Sequence, residues 1–138
     1  MRLRFRQTSY QAEIEENGYV KIPFLNAEEV DALKSFYDSG IQDARTGFHC
    51  TMFSPDTHYR KAVDKMVKDT FASRIEDEIE NARMLYANFM VKESGVESDF
   101  YVHQDWTYVD EQQTNTWAVW VPLIDTDLRN GALHVVPR

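Results

Sequence analysis

The chain of 138 residues holds one cysteine, five glycines and four prolines. The lone Cys50 excludes an intramolecular disulfide and a cysteine-built zinc site, and it fits a reducing compartment. With so little glycine and proline there is no flexible linker, and no repeat or low-complexity tract divides the chain. Positive charge is also in deficit: 15 Lys and Arg stand against 23 Asp and Glu, a net charge of −8. Phosphate backbones and anionic lipid surfaces select the opposite sign, so nucleic acid and membrane are disfavoured as partners. Long hydrophobic runs are missing too. The longest, residues 117–124, contains Pro122 and falls far short of the roughly 20 residues of a membrane helix. The basic start at Arg2, Arg4 and Arg6 is not followed by the apolar stretch of a signal peptide. These absences lead to the expectation of a cytoplasmic protein. What is present is a globular balance, 43% hydrophobic, 28% charged and 13% aromatic. A single domain of this length buries about 65–70% of its unfolded surface without any staple.

The first half, about residues 1–82, reads as helical. Thr8 and Gln11 have capping-box spacing, and Asn17-Gly18 is a stop signal, which predicts a helix over 9–16. Residues 19–24 alternate, with Val20, Ile22 and Phe24 on one face, which predicts a strand. Asn26 with Glu29 three residues on predicts a helix start, Val30, Leu33, Phe36 and Tyr37 its apolar stripe, and Gly40 its end. Residues 44–55 have no period and read as a loop. From Tyr59 onward Ala62, Val63, Met66, Val67 and Phe71 share a helical face, followed by Ile75 and Ile79. The second half, about residues 83–138, switches to period two. Strands are expected at 84–92, 100–105, 114–123 and 132–136, with a turn-rich connection at 93–99 and an Asn-Gly turn inside the loop 125–131. Helices first and strands second read as one α+β domain whose β part is a sandwich or barrel.

The most informative triplet is His103-Gln104-Asp105. On a strand, residues i and i+2 project to one face, so an imidazole and a carboxylate there can chelate one metal ion. They are two members of the two-His-one-carboxylate triad that leaves open positions on Fe(II). The plain alternative is a surface hydrogen bond. His49 and His58 lack a partner at ligand spacing. His134 is expected to pack or to line a pocket, and Cys50 reads as a small buried hydrophobe.

Downstream of the triplet come Trp117-Ala118-Val119-Trp120-Val121-Pro122-Leu123-Ile124-Asp125 and Asn130-Gly131-Ala132-Leu133-His134-Val135-Val136-Pro137. Upstream stand Asn17-Gly18-Tyr19-Val20-Lys21-Ile22-Pro23 and the helix start at Asn26. In this order, from about residue 10 to the end, the sequence resembles the phytanoyl-CoA dioxygenase family of non-haem Fe(II)/2-oxoglutarate oxygenases. The resemblance implies N-terminal helices packed on a double-stranded β-helix (a cupin-like jelly roll). It implies His103 and Asp105 as iron ligands and Asn88 and Trp120 as residues that place 2-oxoglutarate. Fe(II), 2-oxoglutarate and O2 are the implied cofactor and co-substrates. The implied reaction hydroxylates an unactivated C–H bond of a small organic substrate, with decarboxylation of 2-oxoglutarate to succinate and CO2. Related halogenases lose the carboxylate, so Asp105 points to oxygenation.

The family's third ligand, a late His, and the Arg that pairs with 2-oxoglutarate have no counterpart downstream of Asp105 here. Residues 1–138 are therefore expected to cover only the N-terminal part of the domain, with the first half of the jelly-roll strands. A second chain that completes the barrel would also account for the missing ligand. So would a catalytically silent remnant that binds a small molecule or partner.

Overall fold

The computed structural model describes residues 2–40, 47–93, 101–105 and 107–137. Its elements in chain order are β1 (Arg4–Phe5), α1 (Thr8–Asn17), α2 (Ala27–Ser39), β2 (Phe48–Cys50), a 3-10 turn (Thr51–Phe53), α3 (Thr57–Glu78), β3 (Ile79–Glu80) and β4 (Met90–Lys92). Strands β1 and β3 pair antiparallel, as do β2 and β4, giving two sheets of two strands each. Among the described residues no helix is long and apolar enough to cross a membrane.

The helices form where local chemistry dictates. Asn26 Oδ1 accepts from the Glu29 amide at 2.9 Å, and Glu29 Oε2 accepts from the Asn26 amide at 2.8 Å. This is the expected capping box, satisfying two amides that have no partner inside α2. Asp56 caps α3 through the amides of His58 and Tyr59. Gly18 ends α1 at φ 81°, a left-handed value that glycine adopts without strain. Gly40 ends α2 for another reason. Its φ is −72°, but a Cβ there would stand 2.7 Å from Cε2 of Tyr59.

The start of α1 departs from the expected capping box. Thr8 lies inside the helix and Gln7 is the capping residue, its side chain accepting no hydrogen bond from the first-turn amides. Gln11 Oε1 instead accepts from the Phe5 amide at 2.8 Å, drawing β1 onto α1.

Two apolar clusters hold the molecule. Leu33 of α2 and Val63 of α3, each 1% exposed, join Val67 and Phe89 in the first, with Phe36, Tyr37 and Leu123 packed around them. Phe5, Ile75 and Ile79 form the second, with Val20, Ile22, Phe24 and Trp117 against them. Phe71 touches both. The expected faces of α2 and α3 are thus the buried ones, except that Ala62 turns outward.

The strand expectations need correction. Residues 19–24 carry their alternating face into the second cluster but make no ladder. Of residues 84–92 only 90–92 pair, in register Cys50↔Met90 with the three-residue β2, which the aperiodic 44–55 segment concealed. Residues 101–105, 114–123 and 132–136 are likewise unladdered. Phe100 and most of the 93–99 connection lie outside the described residues. The physical reason is visible at 84–89, whose backbone bonds to side chains. The Ala87 amide donates to Asp64 Oδ1 at 2.8 Å, Lys68 Nζ donates to the Leu85 carbonyl at 2.9 Å, and the Phe89 amide donates to Thr51 Oγ1 at 2.9 Å. Alternation puts a segment against a core, but only a neighbouring strand makes it a ladder. The loop at 125–131 forms as expected. Asp127 accepts from the Arg129 amide, the Asn130 side chain donates to the Asp125 carbonyl, and Gly131 takes φ 91°.

Candidate metal centre

His103 and Asp105 stand side by side. His103 Nε2 lies 3.4 Å from Asp105 Oδ1, and the two side chains are 49% and 72% exposed. His103 Nδ1 lies 2.7 Å from the Tyr101 carbonyl oxygen. A carbonyl only accepts, so Nδ1 carries a hydrogen and Nε2 is the ring nitrogen turned to the carboxylate. Two lone-pair atoms facing each other at this distance repel unless a cation, a proton or a metal ion, lies between them. Neighbouring ligands of an octahedral ion, each at ~2.1 Å, stand about 3 Å apart. The donor set and its spacing therefore fit a divalent metal. The bond to the Tyr101 carbonyl fixes the orientation of the imidazole, as the outer bond of a metal-bound histidine would. Among the described residues no third His, Cys, Asp or Glu joins the pair.

Asn88 sits on the 84–92 segment with its amide oxygen 3.0 Å from Cys50 Sγ, which donates to it. Cys50 is a buried free thiol. Burial pushes its pKa up, partly opposed by a backbone bond from Met52.

Tyr86 is two residues from Asn88, the spacing that the alternation assigns to one face. Its ring packs edge-on against Tyr108, with centroids 5.0 Å apart. Its phenol pKa is pushed up to about 12. The hydrogen bond to Tyr108 contributes most, followed by burial and then by the neighbouring charges of Tyr108, Asp105 and Cys50. The charges of Asp105 and of Cys50, which donates to Asn88, thus act on the Tyr86 phenol in the same direction. Trp120 is 43% exposed, and no hydrogen bond or ring contact among the described residues ties it to the other three. Its neighbour Trp117 stacks on Phe5 with centroids 4.9 Å apart.

Tyr108 and the pairing of Cys50 with Asn88 were not readable from the sequence. Tyr86 carried a period-two signal as a face-mate of Asn88, but nothing marked it as chemical. Cys50 is buried as expected, and its bond to a residue 38 positions away leaves no local trace. His134 is exposed, not packed. His49 Nε2 meets the Tyr37 hydroxyl at 3.2 Å, and its buried Nδ1 has no hydrogen-bond partner among the described residues.

No curated protein and no solved structure matches the chain. The model of the phytanoyl-CoA dioxygenase (PhyH) family, which comprises Fe(II)- and 2-oxoglutarate-dependent oxygenases, matches residues 14–138, a span that includes His103, Asp105, Asn88 and Trp120. The chain belongs to the phytanoyl-CoA dioxygenase family.

Proposed function

We propose that this protein is an Fe(II)/2-oxoglutarate-dependent dioxygenase that hydroxylates an unactivated C–H bond of a small organic substrate. The observation that carries the reading is the facing pair of His103 Nε2 and Asp105 Oδ1, oriented by the Tyr101 carbonyl, in a chain of this family. His103 and Asp105 would hold the iron, and Asn88 and Trp120 would place 2-oxoglutarate. Bound iron supplies the oxidising chemistry, in which 2-oxoglutarate is decarboxylated to succinate and CO2 as O2 is consumed. A further ligand and the completion of a jelly roll around the pair are part of this reading.

The chain's own residues contribute orientation. Asp105 brings a negative charge that favours a cation at the pair. The Asn88 amide offers hydrogen bonds to an anionic co-substrate. The Tyr86 phenol, pushed up to about 12, stays protonated at neutral pH and adds a polar, uncharged group whose titration responds to Asp105.

The test is equilibrium binding of 2-oxoglutarate to the full protein under anaerobic conditions, with and without Fe(II). Binding is expected to require the metal. Asp105→Ala should weaken the metal on the order of tenfold or more, with loss of coupled 2-oxoglutarate turnover. Binding that is indifferent to Fe(II) would favour the silent small-molecule module instead.

A further inference from the structure

Among the residues proposed to meet 2-oxoglutarate, Asn88 is the one whose partner is visible. An amide carries an acceptor at one end and two donors at the other, and rotation by 180° exchanges them. Which end a ligand meets is set by what holds the other end. Here Cys50 Sγ lies 3.0 Å from Asn88 Oδ1. A thiol is a donor in this contact, whereas its sulfur would be a poor acceptor for the amide hydrogens. Cys50 cannot easily move away. It pairs with Met90 in the β2–β4 ladder, and the next residue, Thr51, is bonded twice to Phe89, through its amide at 3.0 Å and its hydroxyl at 2.9 Å. Asn88 is thus flanked on its C-terminal side by backbone that β2 and Thr51 hold.

We propose that Cys50 is a positioning residue for Asn88. By donating to Oδ1 it fixes the amide so that the Nδ2 hydrogens are the end offered to a ligand. Such an end selects a partner that only accepts hydrogen bonds, which is the chemistry of an ionised carboxylate such as those of 2-oxoglutarate. This rests on the function proposed above. Burial keeps the thiol in its protonated, donating form at neutral pH.

The experiment measures anaerobic 2-oxoglutarate affinity of the full protein with Fe(II) for the wild type, Cys50→Ser, Cys50→Val, Asn88→Ala and the double variant Cys50→Val/Asn88→Ala. Serine keeps a donor and valine fills the space without one. Cys50→Val should weaken 2-oxoglutarate by about five- to tenfold, the scale of one lost hydrogen bond. Cys50→Ser should stay within about twofold, and Cys50→Val should add nothing in the Asn88→Ala background. Side-chain amide NMR of Asn88 gives a readout independent of the ligand. Its two Nδ2 hydrogen signals should shift in the valine variant and return in the serine variant. If Cys50→Val does not fold, the serine variant and the amide signals carry the test. Equal loss in the serine and valine variants, or additivity in the double variant, would overturn the positioning role while leaving the oxygenase reading intact. A wild type that does not bind 2-oxoglutarate at all would overturn both.

Discussion

Tyr86 links the two halves of the candidate site through a property that can be titrated. Its phenol is pushed up from 10.0 to about 12, chiefly by the hydrogen bond to Tyr108. A group whose folded value exceeds its ordinary one favours the folded state while it is protonated. That stabilisation is fully present below about pH 10 and is lost as pH rises toward about 12. Tyr108→Phe should return the phenolate absorbance step of Tyr86 toward 10 and flatten the fall of unfolding temperature across this window. An unchanged step would mean that Tyr108 is not its partner. At this scale the sequence was legible where chemistry is local: His103 and Asp105 are two residues apart and meet. It was silent where partners are distant, as with Cys50 and Asn88 or Leu3 and Asn115, whose amide-to-Oδ1 bond of 2.7 Å spans 112 positions.

Elements were legible in proportion to how far their own residues determine them. Asn26 and Glu29 lie within one turn and announce α2, and the apolar stripe of α3 announces its buried face. Strands depend on a neighbour elsewhere in the chain, so residues 84–89 alternate like a strand yet bond to α3 and Thr51. Gly40 ends α2 as its place in the sequence predicts, but not because of its backbone freedom. Its torsion suits any residue. The constraint is the ring of Tyr59, which occupies the space a Cβ would take. Helix propensity alone would favour Gly40→Ala. The packing argues the reverse, and the substitution should destabilise the protein by about 1–3 kcal/mol, measured by denaturant unfolding. A neutral or stabilising result would show that the ring yields.

At the scale of the molecule, the helices join two clusters that share Phe71. Leu33 is 1% exposed, so Leu33→Ala should cost about 2–5 kcal/mol. Phe89 of the same cluster adjoins Asn88 in the chain. Such a loss should therefore also weaken 2-oxoglutarate, whereas Lys65→Ala on the solvent side of α3 should change neither. Unfolding curves and ligand titration on the same samples check this. Equal 2-oxoglutarate affinity in wild type and Leu33→Ala would show the site to be independent of the first cluster.

The bonds from Asp64 and Thr51 to the amides of Ala87 and Phe89 have a kinetic consequence. These two amides should exchange hydrogen with solvent slowly, while that of Asn88 between them and that of Tyr86 just before Ala87 exchange faster. The resulting alternation of slow and fast protons is the signature of a sheet edge, produced here by side chains alone. Replacing Asp64 with Ala should release the Ala87 proton and leave that of Phe89 slow. Exchange at Asn88 would then report, proton by proton, how firmly α3 grips the backbone that carries the site.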